Sequence, residues 1–143
     1  MYVKQISVFI ENAPGKLADF TRMLGERGID LMSLSIADTT SFGILRFIVA
    51  DYERAIREIE KAGYAVSLTD VLAVEVPDRP GGLAEMLQVM GETDVSIEYL
   101  YSFVRGRQGN ALIVFRVADI DKAYQVLTSH GICALSQEEI GKL

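Results

Sequence analysis

Hydrophobic and polar residues follow two different periods along the first part of the chain. Over residues 4–12 every second position is aliphatic, which predicts a β-strand with one buried face. The aliphatic positions are Ile6, Val8 and Ile10. After Pro14 and Gly15 the apolar residues recur at the spacing of one helical face, so a helix is predicted there. Its apolar stripe consists of Leu17, Phe20 and Leu24.

The pattern then predicts two more strands, a second helix and a closing strand. Apolar residues alternate or cluster over residues 29–37 and 42–50, which indicates the two strands. Asp51 is a good N-cap for the helix that follows. Gly63 stands where a left-handed residue is expected to end that helix. The closing strand is predicted over residues 65–69.

The same pattern occurs twice in the chain. Residues 12–18, Asn-Ala-Pro-Gly-Lys-Leu-Ala, recur 66 positions later at residues 78–84 as Asp-Arg-Pro-Gly-Gly-Leu-Ala. Residues 47–51 recur at an offset of 68, at residues 115–119, so the second copy is two residues longer between these segments. Insertions are tolerated best in surface loops, so this one indicates a hairpin turn.

Each copy has the order β-α-β-β-α-β in roughly 70 residues. This order predicts an α+β fold of two ferredoxin-like units, residues 1–70 and 71–143. In each unit both helices pack on one face of an antiparallel four-stranded sheet. A unit of this size buries little surface by itself. We therefore expect the units to associate side by side into an eight-stranded sheet, which also covers exposed strand edges.

Composition narrows the chemistry. The 143 residues include 20 acidic and 14 basic side chains, and this net charge of −6 argues against a protein that binds nucleic acid. No apolar run reaches the roughly eighteen residues that a membrane-spanning helix needs. With one cysteine, Cys133, and one histidine, His130, no metal, cofactor or catalytic residue is predicted. A lone cysteine fits the reducing cytoplasm.

The repeated motif Asn/Asp-x-Pro-Gly-x-Leu-Ala, at residues 12–18 and 78–84, follows a strand and opens a helix. In this context it resembles the motif of the ACT domain. The resemblance extends from about Tyr2 to Leu135, so the chain is similar to a stand-alone tandem ACT protein. It implies a regulatory, non-catalytic module that binds a small effector, most often an amino acid. It also implies that the effector lies at the interface between two ACT units.

The resemblance implies ligand-binding residues at both Pro-Gly turns and on the second strand of each copy. They are Asn12, Ala13, Pro14, Gly15, Lys16, Leu17 and Ser33 in the first copy, and Asp78, Arg79, Pro80, Gly81, Gly82, Leu83 and Tyr99 in the second. The chemistry agrees, because the first amides of a helix favour a carboxylate and Asn12 or Asp78 can accept from an ammonium group. Asn and Asp are equally good turn residues without a ligand, so both interpretations stay open.

The second strand of the second copy carries aromatic residues at alternating positions, Tyr99, Tyr101 and Phe103. Alternation places the rings on the face away from the helices. We expect a partner chain to cover them in a homodimer, because aromatic residues are enriched at interfaces. A ligand-pocket wall and a core position are the alternatives. The loop of residues 105–110, which contains two arginines, is typical of a solvated hairpin, with an anion site as its alternative.

The leading hypothesis is a regulatory protein. An amino acid or related small carboxylate binds where ACT units meet, and its occupancy is passed to a partner enzyme or regulator. The alternative is an interaction module that binds no ligand, such as a regulatory subunit of acetolactate synthase. An enzyme such as an acylphosphatase shares the ferredoxin-like order. However, the turn at residues 12–16 lacks the arginine that such a phosphate-binding loop needs.

Overall fold

The computed structural model describes residues 2–38 and 41–143, which form six strands and five helices. The strands are β1 (Val3–Glu11), β2 (Ser33–Asp38), β3 (Phe42–Ile48), β4 (Val66–Pro77), β5 (Ile97–Ser102) and β6 (Asn110–Val117). The helices are α1 (Lys16–Glu26), α2 (Tyr52–Lys61), α3 (Gly82–Gly91), α4 (Ile120–Ser129) and α5 (Gln137–Ile140). The predicted hairpin turn of the first copy includes Thr39 and Thr40, which lie outside the described residues.

The chain forms two compact units, Lys4–Thr69 and Asp70–Leu143, and residues 2–3 belong to the second of them. Tyr2 is held there because its hydroxyl donates a hydrogen bond to the Asp121 carboxylate in the first turn of α4. This hydrogen bond raises the pKa of Tyr2 to about 12. The hydroxyl therefore stays protonated, and so remains a donor, even near pH 10, where an ordinary tyrosine is half ionised.

In the first unit the strands follow the order β2-β3-β1 with antiparallel pairing. Helices α1 and α2 cover one face, to which alternate residues of β1 point. The core on this face includes Ile6, Val8, Ile10, Phe20, Leu24, Leu45, Phe47, Ala55 and Ile59. Asp51 caps α2, as predicted, by accepting a hydrogen bond from the Arg54 backbone N–H at 3.0 Å. Gly63 follows α2 with a φ of 94°, which confirms the predicted left-handed residue.

The second unit has the strand order β4-β6-β5, again antiparallel, with α3 and α4 on one face. Its core includes Leu72, Val74, Val76, Met86, Met90, Ile113, Phe115, Val117, Ala123 and Leu127. Asp119 caps α4 through its carboxylate. After α4 the chain runs beside β4, where the Leu135 N–H donates to the Ala73 carbonyl at 2.8 Å. Ser136 and Glu139 then form the predicted capping box of α5.

These elements confirm the predicted α+β fold of two ferredoxin-like copies, but the prediction of eight separate strands is wrong. The described residues form six strands. The closing strand predicted over residues 65–69 continues into the first strand of the second copy, so both are parts of β4. No glycine or proline interrupts residues 66–76, and an uninterrupted strand therefore forms. The closing segment of the second copy makes one isolated bridge, between Val74 and Ala134.

The strand predicted over residues 29–37 begins later than its hydrophobic pattern suggests, at Ser33. The residues before it belong to the turn that ends α1. Gly28 has a φ of 68°, and the Ile29 N–H donates to the Leu24 carbonyl at 2.9 Å. Ile29 is nevertheless buried in the core of the first unit. Ile29 is therefore apolar because it packs into the core directly after α1, and not because it belongs to a strand.

Candidate functional site

The two Pro-Gly turns connect the first strand of each copy to its first helix in the same conformation. Gly15 and Gly81 are the N-cap residues of α1 and α3, with φ angles of 83° and 86°. Glycine adopts this left-handed conformation without strain, so the turn itself accounts for the conserved residue type in both copies. A glycine N-cap supplies no side-chain acceptor for the first amides of its helix. Those amides form a partially positive end that has the chemistry to hold a carboxylate.

A cavity of about 110 Å³ adjoins the first turn. It is lined by the predicted site residues Asn12, Ala13 and Leu17, together with Ile10, Glu11, Ile36 and Gly43. Its floor is apolar because Ile10 and Ile36 reach it from β1 and β2. Asn12 is exposed at the rim, and its backbone N–H donates to the Ser41 carbonyl at 3.1 Å. The other predicted residues of this turn, all exposed, are Pro14, Gly15 and Lys16.

A larger cavity of about 250 Å³ lies between the end of β4, α3 and the residues after α4. Its lining consists of Glu75, Val76, Pro77, Gly82, Glu85, Met86, Val89, His130 and Ile132. Gly82 is the predicted site residue that lines this cavity. A β-carbon at position 82 would lie 1.9 Å from the Pro77 carbonyl oxygen, so a larger residue does not fit there without a shift of the backbone. The predicted residues outside this lining are Asp78, Arg79, Pro80, Gly81 and Leu83. Arg79 is paired with Glu85, nitrogen to oxygen, at 2.8 Å.

The larger cavity occurs where the second copy lacks two aromatic rings that the first copy has. In the first unit the rings of Phe20 and Tyr64 pack edge to face, with centroids 4.9 Å apart. The offsets of the repeat place Met86 and Ile132 at these positions in the second copy. Both line the cavity, and together they fill less space than two rings. The sequence patterns did not single out this site, although the paired loss of aromatic residues was its signal.

Ser33 and Tyr99 do not line either cavity. Ser33 is fully buried, and its neighbour Leu34 pairs with Phe47 of the helix-side core, so Ser33 points to the opposite face. Tyr99 has the same orientation in β5, because its neighbour Leu100 pairs with a core residue of β6. Within one unit the structure therefore does not bring these residues to the turns. Their contact with an effector stays a prediction.

Tyr99 and Tyr101 of β5, and Phe103 directly after this strand, lie on the face away from α3 and α4, as alternation predicts. Tyr99 and Tyr101 are half-buried, and their rings stack with centroids 6.4 Å apart and an angle of 19° between planes. Phe103 is 8% exposed, so little of its ring is accessible to a partner chain. The interface over these three residues stays a prediction.

An ion pair on this face was not anticipated from the sequence. Arg107 Nε lies 2.7 Å from Glu75 Oε1, and Asn110 Nδ2 donates to Glu75 Oε2 at 3.1 Å. The Glu75 side chain is 13% exposed, so the pair is largely withdrawn from solvent. Arg107 therefore neutralises an internal carboxylate. Burial, with a smaller contribution from Glu75, raises the pKa of the nearby Cys133 thiol above its usual value.

His130 contacts the end of α4, as predicted, and its Nδ1 also lies 3.3 Å from the Ser129 hydroxyl oxygen. Its Nδ1 lies 2.9 Å from the Val126 carbonyl oxygen, and its Nε2 lies 3.2 Å from Glu92 Oε2. The neighbouring Ser129 hydroxyl donates to the same Val126 carbonyl at 2.8 Å. A Ser–His nucleophile needs that hydroxyl proton to be directed to the imidazole. The geometry of this pair is therefore that of a helix terminus.

Within residues 2–38 and 41–143, no three His, Cys, Asp or Glu side chains are grouped so that they could hold a metal ion. No helix in the same ranges is both long enough and apolar enough to cross a bilayer.

Comparison with known proteins identifies the family. A family model described as an ACT domain pair matches residues 1–143. A solved structure of a protein from Bacteroides thetaiotaomicron has a TM-score of 0.91 and 36% identity, covering 100% of this chain and 98% of that one. The ligand-free regulatory subunit of aspartate kinase from Thermus thermophilus has a TM-score of 0.62 and 20% identity, covering 90% and 91%, which shows a common fold. No curated protein matches. The chain belongs to the ACT domain pair family.

Proposed function

We propose that this protein is a regulator that binds a small effector, an amino acid or a related small carboxylate, and that it is not an enzyme. The observation that carries the proposal is the duplicated glycine-capped turn with a cavity beside each copy. Membership of a family of regulatory domains supports it. The likeness to a regulatory subunit of aspartate kinase is in keeping with such a role.

In this proposal each part of an amino acid meets a complementary group. The carboxylate binds the outward amides at the start of α1 or α3. The ammonium group binds a side-chain oxygen, supplied by Asn12 at the first turn and by Asp78 at the second. The side chain of the effector enters the neighbouring cavity, where aliphatic residues such as Ile10 and Ile36, or Met86, provide an apolar surface.

The two turns are expected to prefer effectors of different size. The cavities measure about 110 and 250 Å³, and complete pockets for small molecules begin at roughly 300 Å³. Both cavities are smaller than this volume, and the cavity at the first turn is much smaller. We therefore propose that ACT units of two copies, in a homodimer, meet at the effector and complete each site. Residues 1–70 and 71–143 then act as two sensing domains.

Occupancy is passed on through the arrangement of the ACT units. An effector that contacts two units favours the arrangement in which both contacts are made, and it can shift the equilibrium only by that difference in affinity. The proposed receiver is a metabolic enzyme or another regulator in the cytoplasm. No nucleic acid, membrane, metal or cofactor takes part in this scheme.

Isothermal titration calorimetry of the full chain against the twenty amino acids and branched-chain keto acids tests the proposal. We expect at least one compound to bind with saturation. If none binds, the proposal fails and a ligand-free interaction module is favoured instead. Such a result is informative only if the protein used is folded, which far-UV circular dichroism establishes.

Two sets of variants locate the binding. Asn12→Ala and Asp78→Ala each remove a proposed ammonium acceptor, and loss of a hydrogen bond to a charged group is expected to weaken affinity by about tenfold or more. If these residues serve only the turns, stability falls and affinity is unchanged. Met86→Phe combined with Ile132→Tyr restores the rings of the first copy and is expected to abolish binding at the second turn alone.

A further inference from the structure

The cavity of about 250 Å³ in the second unit is lined by side chains that are smaller than their counterparts in the first copy. Four lining residues show this reduction, and each differs from its counterpart by the repeat offset of 66 or 68. The pairs, first copy before second, are Lys16 and Gly82, Phe20 and Met86, Met23 and Val89, and Tyr64 and Ile132. All four differences remove side-chain volume around the same space.

In the first unit aromatic rings occupy the corresponding region. Phe20 is fully buried, and its ring packs against Tyr64 and, at a centroid distance of 5.9 Å, against Phe47. The second copy keeps the last of these three rings as the fully buried Phe115. It lacks the other two. The space that remains in the second unit therefore lies where the first unit holds rings.

The polar side chains of the lining are already paired within the chain. Glu85 accepts a hydrogen bond from Arg79 at 2.8 Å. His130 Nε2 lies 3.2 Å from a carboxylate oxygen of Glu92, and Glu75 is held in its ion pair on the other face of the sheet. The side chains left to contact a ligand are apolar, and they are Val76, Pro77, Met86, Val89 and Ile132.

The volume of the cavity suits an aromatic ring. An apolar cavity of about 150 Å³ is large enough to bind benzene. The cavity of the second unit, at about 250 Å³, exceeds this volume, whereas the cavity at the first turn, at about 110 Å³, is smaller. Packed protein interiors leave few voids larger than a water molecule. An apolar cavity of this size beside a turn is therefore the place for a ligand.

We propose that this cavity is a pocket for an aromatic ring, and that the effector of the second turn is an amino acid or small carboxylate that carries such a ring. Pro77 and Gly82 line the cavity and flank the turn of residues 78–81. One small molecule can therefore place its carboxylate at the start of α3 and its ring in the cavity.

Met86 and Ile132 determine this specificity, because they stand where the first copy has its two rings. Methionine adapts to irregular shapes, and its sulfur packs favourably against aromatic rings. Met86 is 1% exposed, so a ring that enters the cavity meets its side chain from the inner side. The ring takes the place that an aromatic side chain fills in the first unit.

This inference rests on the proposed function for the carboxylate of the effector, but the ring pocket can be tested separately. Toluene has the ring and no carboxylate. In protein labelled with ¹³C at the methionine methyl groups, toluene is expected to shift the Met86 signal with saturation, because an aromatic ring alters the magnetic field beside it. Met23 and Met32, in the first unit, are the internal references, and Met86→Leu identifies the Met86 signal by its loss. Absence of a saturable shift at Met86 overturns the proposal.

Amino acids then test the class of effector, with the Met86 signal as the readout. Phenylalanine is expected to bind at least about tenfold more tightly than alanine, and more tightly than leucine. Leucine binding as tightly as phenylalanine overturns the aromatic preference and leaves the proposed function standing. If toluene binds but no amino acid or aryl carboxylate does, the proposed function fails and the ring pocket stands.

Variants assign the ring to this cavity. Val89→Met restores the side chain of the first copy and is expected to weaken the binding of toluene and phenylalanine by at least about tenfold. The matched control is Gln88→Met, which adds the same side chain at the neighbouring exposed position and is expected to keep the wild-type affinities. Circular dichroism verifies that both variants fold. A folded Val89→Met variant with wild-type affinity for both compounds contradicts the proposal.

Discussion

Replacing Ile140 by alanine is expected to destabilise the second unit, although this residue belongs to a helix of four residues. Helices this short have no stability of their own in water. The Ile140 side chain is nevertheless fully buried. A fully buried side chain is surrounded by other atoms, so the stability of the protein is expected to depend on the contacts of Ile140.

The magnitude follows from the atoms removed. The substitution deletes three carbons from a buried site, and about 0.8 kcal/mol for each gives about 2.4 kcal/mol of lost transfer free energy. The cavity that remains adds to this, and Ile→Ala changes in cores cost about 2–5 kcal/mol in total. We expect a decrease of about 3 kcal/mol in the free energy of unfolding.

Urea unfolding followed by far-UV circular dichroism measures this decrease. The matched control is Leu143→Ala, three positions further on and 37% exposed, which is expected to change the free energy of unfolding by less than about 0.5 kcal/mol. A loss below about 1 kcal/mol for Ile140→Ala would show that α5 is a surface turn whose packing contributes little to stability, which would contradict this expectation.

Further substitutions test the turns, the caps and the ion pair. Gly81→Ala meets open space but must adopt a positive φ, which costs about 1–2 kcal/mol. Gly82→Ala is expected to cost more by thermal unfolding, because its β-carbon would lie 1.9 Å from a backbone oxygen at the end of β4. Asp119→Ala removes the α4 cap and is expected to cost about 1 kcal/mol in urea. Cys133 is expected to react with iodoacetamide more slowly than free cysteine at pH 8, because a raised pKa leaves less thiolate, and Glu75→Gln is expected to speed the reaction.

Clear results would contradict each of these expectations. A Gly82→Ala variant as stable as Gly81→Ala would mean that α3 shifts freely away from the strand end. An Asp119→Ala variant of wild-type stability would exclude its role as a cap. An alkylation rate for Cys133 equal to that of free cysteine would mean that the pKa of its thiol is not raised.

The fold could be predicted from the sequence because the repeat allowed each copy to be checked against the other. The Pro-Gly turns, the N-cap Asp51 and the left-handed Gly63 have local physical causes, and the structure has all of them. The number of strands could not be predicted in this way. Residues 65–69 carry no signal that separates them from the strand after them, and in the structure one strand extends from Val66 to Pro77.

The features that depend on distant residues could not be predicted from local patterns. Arg107 and Glu75 are 32 positions apart, and the loop of Arg107 has the composition of an ordinary hairpin. The capping box at Ser136 predicted a helical turn, but not that Ile140 within it is fully buried. Alternation placed Phe103 on its face of the sheet, but its burial depends on tertiary packing, which a local pattern does not show.

The central claim is that an effector binds at the glycine-capped turns. Two-dimensional NMR of the ¹⁵N-labelled protein, with each amino acid added in turn, tests it most directly, because every backbone amide reports separately. Binding is predicted to shift most the amides of residues 12, 13, 15–17, 78, 79 and 81–83, since Pro14 and Pro80 have no amide hydrogen, and to leave those of α5 unchanged. Saturable shifts confined to other regions, or none with any amino acid or branched-chain keto acid, would contradict the claim.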